Sequence, residues 1–368
     1  MEHVKTLIIG GGINGCVTAY HLARLGQEVL LLDRAALANE GSSANAGTLS
    51  VQNKPTKMTA STIAAVEEWK ALDQVLDGKL NYHRLGGFRI AQTQEQLEKI
   101  RRIAEQQREA GLNVIPCSKE DILRAEPNIT TDIVGGNWCE IDGYADSKTA
   151  VKTIGAEAVR LGADIRTFCG AESIRENDGT YIVRTQNGTE ICAKQVLLSA
   201  GMWSKELAAQ IGVALPIEQR LFQMIVTEPA PDLIGHVITH ATGKLTIKQS
   251  HENGSLLIGG GWRGIGDYRT FQKEVNLDNM VGNAQLAIAC FPRLAQLNVL
   301  RTWAGFDART PDESPIFGEI PGHKNLFVVG AGQGGFTTGP AYGKFMAELM
   351  MTGKTSDIIA PFGLARFF

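Results

Sequence analysis

The apolar run Leu7-Ile8-Ile9 leads without a gap into Gly10-Gly11-Gly12-Ile13-Asn14-Gly15, and no other stretch restricts the fold of this chain as strongly. So short and uniformly apolar a run reads as a buried parallel strand. A helix follows, with Val17, Tyr20, Leu22 and Leu25 on its apolar face and Gly26 at its end. Glu28-Val29-Leu30-Leu31-Leu32 then gives a second buried strand that closes on Asp33. Together these pieces make one complete βαβ unit. In such a unit Gly10 permits the turn, Gly12 lets the backbone approach a pyrophosphate, and Gly15 lets the helix pack closely. Ile13 and Asn14 open the helix, whose N-terminus offers unpaired N–H groups to an anion. Asp33 is placed to accept hydrogen bonds from ribose hydroxyls. The unit predicts dinucleotide binding, and Asp33 followed by Arg34 leaves the choice between FAD and a nicotinamide cofactor open.

Composition narrows the class further. The 368 residues carry a formal net charge of -3, which gives no footprint for nucleic acid and suits an enzyme of roughly two domains. Hydrophobic residues at 43% supply a sizeable core, and 41 glycines imply many close backbone approaches. Cys16, Cys117, Cys139, Cys169, Cys192 and Cys290 form no CxxC pair and have no histidine at ligand spacing, so a zinc, iron–sulfur or dithiol centre is not expected. The N-terminus lacks the apolar core of a signal peptide, and no stretch reaches the ~18 apolar residues of a membrane span. A cytoplasmic enzyme with free thiols is the expectation.

Gly41-Ser42-Ser43-Ala44-Asn45-Ala46-Gly47-Thr48 is rich in small residues, as needed where chain lies along a diphosphate and beneath a ring system. With this loop the chain resembles the D-amino-acid oxidase superfamily, in the branch of glycine, sarcosine and opine oxidases. The likeness continues through Leu85-Gly86-Gly87-Phe88, Glu126-Pro127, Asp142-Gly143-Tyr144-Ala145-Asp146, the run from Val196 to Ser204, and Thr310-Pro311-Asp312. It implies noncovalent FAD, held by Gly10, Gly12, Ile13, Asn14, Gly15, Asp33 and Arg34, and by Ser42, Ser43, Ala46, Gly47 and Thr48. Ala171 is implied as an adenine contact, and Ala200, Gly201 and Trp203 as further cofactor contacts.

Leu326-Phe327-Val328-Val329 precedes a second GxGxxG match, Gly330-Ala331-Gly332-Gln333-Gly334-Gly335. The helix from about Phe336 to Met351 leaves too little chain for another nucleotide-binding βαβ unit, which takes ~30 residues. The resemblance gives the turn another role. Gly332, Gln333, Gly334, Gly335, Phe336, Thr337 and Thr338 would face the flavin pyrimidine, where a positive helix end stabilises charge gained on reduction.

The fold expected is an α/β Rossmann-type FAD-binding domain (1–83, 140–215 and 318–368) interleaved with an α+β substrate domain (84–139 and 216–317) on a mainly antiparallel sheet. Strands are read at Leu85–Ala91, Asp164–Phe168, Phe222–Thr227, Leu245–Gln249 and Ser255–Ile258. A helix is read over Glu95–Gly111, and Glu252-Asn253-Gly254 as a hairpin turn. The substrate sheet would form a roof over the flavin.

The family's chemistry removes hydride from a carbon bonded to nitrogen, which requires an aimed C–H bond, a deprotonated amine and a cation for the substrate carboxylate. Glycine-oxidase-like members carry an arginine three residues before Thr-Pro-Asp, and here that residue is Asp307. Arg309, Arg263, Lys248 and Arg301 are the replacement candidates, although long basic side chains are mostly exposed and each reads more readily as an ordinary surface or ion-paired cation. Asp307 could receive a basic substrate group, or serve as a turn residue. Monomeric sarcosine oxidases place a flavin-linking cysteine five residues before Thr-Pro-Asp, where this chain has Gly305. His21 reads as a packing residue and His251 as a solvated turn residue. These departures resemble the FAD-carrying subunits of opine oxidase, hydrogen cyanide synthase, dye-linked proline dehydrogenase and sarcosine oxidase. They imply oxidation of a secondary amine with partner subunits, against a stand-alone amino-acid oxidase, a 2-hydroxyacid dehydrogenase or a non-catalytic electron-transfer subunit.

Overall fold

The computed structural model describes residues 1–368. Two eight-stranded sheets organise it. The first is built on the apolar runs already noted. Glu2–Ile9 lies at its centre, parallel to Val29–Leu32 on one side and to Glu190–Leu198 on the other. Asp164–Arg166 and Leu326–Gly330 extend the parallel array outward. Because helices cover its faces, the central strand is buried from Thr6 to Ile9 and its neighbour throughout Val29–Leu32, as the runs of Leu, Ile and Val require.

The first helix, Ile13–Arg24, is buried on nearly every face, since the helices Ser147–Arg160 and Gly335–Thr352 both pack on it. Gly339 and Gly343 make the second contact possible. A Cβ on Gly339 would stand 2.6 Å from Ile13 Cγ1, and one on Gly343 2.6 Å from Val17 Cβ.

The second sheet runs Val299–Arg309, Glu218–Pro229, Ser255–Gly259, Thr246–Gln249, Val237–His240, Gly87–Ala91, Gly135–Cys139, Val114–Cys117. Every neighbouring pair is antiparallel except Val237–His240 with Gly87–Ala91. The hairpin at Glu252-Asn253-Gly254 joins Thr246–Gln249 to Ser255–Gly259. Element ends differ from expectation where tertiary pairing decides them. The strand read at Leu85 begins at Gly87, that at Phe222–Thr227 spans Glu218–Pro229, and the helix read at Glu95–Gly111 spans Gln94–Glu109. Asp164–Phe168 shortens to Asp164–Arg166, and Ala171 opens a strand of its own, Ala171–Asn177. No helix is long and apolar enough to cross a membrane.

Register sets what the second sheet presents inward. Arg89 pairs with Thr239, Thr239 with Thr246, and Thr246 with Gly259, so these side chains share one face. Arg89, Thr246, Gly259 and Met224 all line a cavity between the two sheets.

Candidate functional site

The cavity has a volume of about 710 Å³, within the range of small-molecule and cofactor sites. One end of it is the glycine turn of the first βαβ unit. Gly10 sits at φ 116°, open to glycine alone, and a Cβ on Gly15 would stand 1.9 Å from the Gly10 carbonyl oxygen. The helix beginning at Ile13 has no side-chain cap. Only the Ile13 N–H finds a side chain, Ser42 Oγ at 2.9 Å, and the buried Asn14 Oδ1 has no hydrogen-bond partner. Asp33 closes the strand, accepting from the N–H groups of Gly11 at 2.7 Å and Ala35 at 2.8 Å, and burial raises its carboxyl above the usual range.

A second uncapped N-terminus enters the wall further along. Gly334, at φ 75°, precedes the helix Gly335–Thr352, whose first N–H groups have no intrahelical acceptor. A Cβ on Gly334 would lie 2.1 Å from Lys54 Cε, so the glycine also makes room for that lysine. Two helix N-termini, a glycine cradle and an orphaned amide oxygen suit an elongated, anionic dinucleotide.

Most of the residues expected around such a group stand in the cavity wall: Gly10, Gly12, Ile13, Asn14, Asp33, Arg34, Ser42, Ala46, Thr48, Ala171, Ala200, Gly201, Trp203, and Gly332 through Thr337. Gly15, Ser43, Gly47 and Thr338 stand behind it. Gly15 packs on Gly10 and Ser199, and Gly47 on the Ala145 carbonyl. Ser43 Oγ bonds Glu40 O, and Thr338 Oγ1 bonds Gly334 O. Arg34 pairs with Glu40 at 3.1 Å and lies 3.5 Å from the Trp203 ring and 4.4 Å from the ring of Phe271. Phe271 belongs to a loop that the sequence reading passed over.

The cations proposed for a substrate carboxylate fare differently. Arg309 lines the cavity, but its Nε bonds Asp307 Oδ2 at 2.5 Å and its Nη1 bonds Glu313 Oε2 at 2.6 Å, so two carboxylates already neutralise it. Asp307 thereby receives a guanidinium from its own chain, the role imagined for a basic substrate; its carboxyl is raised by burial, with Arg309 opposing. Lys248 lies off the cavity wall, its ammonium 3.6 Å from the Tyr144 ring centre, and burial lowers it to about 7. Arg263 packs over Phe222 at 4.9 Å and Arg301 over Trp303 at 5.4 Å, both outside the wall. His21 meets Glu68 at 3.2 Å in the core, and His251 is exposed beside the hairpin. A Cβ at Gly305 would stand 2.2 Å from Ala44 Cβ, which leaves no room for a side chain.

Two cations that the sequence reading missed occupy the wall instead. Lys54 donates to the Ser50 carbonyl at 3.0 Å, and Arg89 reaches the Gln52 carbonyl only at 3.5 Å. Neither forms an ion pair, and Arg89 Nε is buried without a partner. Burial lowers Lys54 to about 8 and also lowers Arg89, with Asp142 opposing in both. Asp142 is not their salt-bridge partner. It accepts from Val51 N–H at 2.6 Å, Gln52 Nε2 at 2.9 Å and Ser50 Oγ at 3.0 Å, and so fixes the loop from which Lys54 projects. The available signals were a lysine six residues beyond the small-residue loop and a lone arginine on the inward face of a strand.

A βαβ cradle and a second sheet closing one long cavity define a flavin-dependent oxidoreductase, and the chain belongs to the FAD dependent oxidoreductase (DAO) family, whose pattern matches residues 5–349. Its cofactor is FAD. Among its relatives, an opine oxidase subunit of Rhizobium meliloti is 26% identical, with 100% of this chain and 98% of that protein covered. The beta chain of sarcosine oxidase from Rhizobium meliloti (strain 1021) is 27% identical over 99% of this chain and 88% of its own length. The crystal structure of L-proline dehydrogenase from P. horikoshii superimposes with a TM-score of 0.92 at 24% identity, over 100% of this chain and 98% of that one, a likeness of fold.

Proposed function

We propose that this protein oxidises the C–N bond of a secondary amine of the N-substituted amino-acid type, such as an opine, sarcosine or proline derivative. It would act as the catalytic subunit of a multi-subunit dehydrogenase. The observation that carries the reading is Lys54, a cation in the cavity wall without a carboxylate partner, beside the N-terminus of the Gly335–Thr352 helix. A buried unpaired ammonium is costly unless an anion meets it, and the carboxylate of an amino-acid substrate is such an anion. Lys54 thus takes the place of the arginine that Asp307 replaces.

Bound FAD supplies the hydride acceptor, N5 of its ring system. The residues Gly10 to Asn14, Asp33, Ser42 and Gly332 to Thr337 would hold it, and the second helix N-terminus would favour negative charge near it. The chain's own task is positioning: Lys54 fixes the carboxylate while Met224, Phe222 and Leu245 supply apolar wall around the carbon skeleton. No histidine lines the cavity, which speaks against 2-hydroxyacid oxidation, where a base must take the hydroxyl proton. The subunit role is supported by relatives named as subunits.

Anaerobic photometry tests the reading. N-substituted amino acids should bleach the flavin while 2-hydroxy acids leave it oxidised. Bleaching by hydroxy acids alone, or by neither class, overturns the proposal.

A further inference from the structure

The cavity wall contains four cationic side chains: Arg34, Lys54, Arg89 and Arg309. Arg34 is paired with Glu40, and Arg309 with Asp307 and Glu313. Lys54, assigned above to one substrate carboxylate, leaves Arg89. This guanidinium has five donors, yet its one hydrogen bond is the 3.5 Å contact to Gln52 O, and its buried Nε has no partner. An arginine left so under-satisfied is a planar fork without its anion.

Arg89 and Lys54 stand in different walls. Arg89 rises from the roof sheet, in one row with Thr239, Thr246 and Gly259. Lys54 projects from the loop that Asp142 pins and lies over Gly334, at the N-terminus of the Gly335–Thr352 helix. Gly259, Gly260 and Gly261 line the cavity without side chains and leave room beneath the roof.

Resting on the proposed amine oxidation, we infer that the nitrogen substituent of the substrate carries a second anionic group, received by Arg89 while Lys54 holds the first. The substrate class is then a secondary amine bridging two carboxylate-bearing arms. Arg89 separates it from N-methyl and cyclic amino acids with a single carboxylate. It is a specificity-determining residue, and it needs no part in hydride transfer.

Two unreactive thioethers test this on the FAD-loaded protein. Thiodiacetate presents two carboxylate arms and (methylthio)acetate one, and binding of each is read from the perturbed flavin absorption spectrum. Wild type should bind thiodiacetate about tenfold or more tightly than (methylthio)acetate, the scale of one added charge-assisted contact. Arg89→Gln should bring the ratio close to one, and Arg89→Lys should restore part of it, because a point charge replaces the fork only partly. Equal affinities in wild type, a ratio that Arg89→Gln leaves intact, or no binding of thiodiacetate would each overturn the inference. Flavin content is measured on every variant: loss of FAD in Arg89→Gln assigns Arg89 to the cofactor, again overturning it. Amine oxidation is scored separately. A protein that bleaches equally with mono- and dicarboxylate amines and binds both thioethers alike keeps the amine reading and loses this one. A protein with the thioether preference but no amine-dependent bleaching does the reverse.

Discussion

Lys54 titrates in a range where its charge can be switched without unfolding the protein. Burial pushes it from the ordinary lysine value to about 8, with Asp142 acting against the shift and Arg309 adding to it. The direction fixes the sign: the ammonium is present below pH 8 and lost above it. At pH 7 about nine-tenths of the side chain is charged and at pH 9 about one-tenth, so a carboxylate that needs the ammonium should bind about tenfold more weakly at pH 9. A substrate amine would confuse the measurement, because its own deprotonation favours the reaction as pH rises. (Methylthio)acetate avoids this, since it has no group titrating between these limits. Its affinity, read from the flavin spectrum, should fall across that interval in the wild type. Lys54→Arg should flatten the profile, because a guanidinium keeps its charge, and Lys54→Met should bind weakly at both ends. A wild-type affinity independent of pH between 7 and 9, or a Lys54→Met protein that keeps the slope, would refute Lys54 as the carboxylate's partner.

Three other outcomes follow from named contacts. Gly15→Ala places a Cβ 1.9 Å from the Gly10 oxygen, so the purified protein should lose FAD and about 3 kcal/mol of stability, measured by flavin content and by urea unfolding; normal flavin content would remove the glycine turn from the cofactor site. Gly305 has no space for a flavin-linking cysteine, so acid precipitation should release all FAD into the supernatant, and a yellow pellet would locate a covalent link elsewhere. The isolated chain should bind FAD yet turn over slowly with oxygen, gaining rate when co-expressed with neighbouring subunits. Full turnover by the monomer with stoichiometric hydrogen peroxide would make it a stand-alone oxidase.

The fold was most readable where its determinants are local. The first βαβ unit declares itself because the apolar run, the glycine turn and Asp33 lie within 33 consecutive residues, and each step is a short-range backbone requirement. The roof sheet was legible as mainly antiparallel from its hairpin, but the parallel pairing of Val237–His240 with Gly87–Ala91 was not, since nothing near either strand encodes a partner so distant in the chain. The substrate end of the site was the least legible. Arg309 looked free in the sequence, although Asp307 and Glu313 stand two and four residues away, because Asp307 reaches it along one strand face and the turn at Thr310-Pro311 brings Glu313 to the same guanidinium. Lys54 and Arg89 were passed over for the opposite reason. Their environment depends on Asp142, which bonds a loop 91 residues earlier in the chain.

That long-range contact explains how two cations can remain without a carboxylate partner in the cavity wall. A carboxylate in direct contact with Lys54 or Arg89 would neutralise it and remove it from ligand binding, as happens to Arg309. With no carboxylate nearby, burial would lower the lysine further and leave it uncharged at neutral pH. Asp142 does neither, because its oxygens are occupied by Ser50, Val51 and Gln52. Its field still reaches both cations and opposes their loss of charge. The carboxylate therefore acts at one remove, as an anchor for the loop and as a counter-charge behind it. Lys54 and Arg89 thus keep no carboxylate partner in the cavity wall, which is the condition the proposed substrate contacts require.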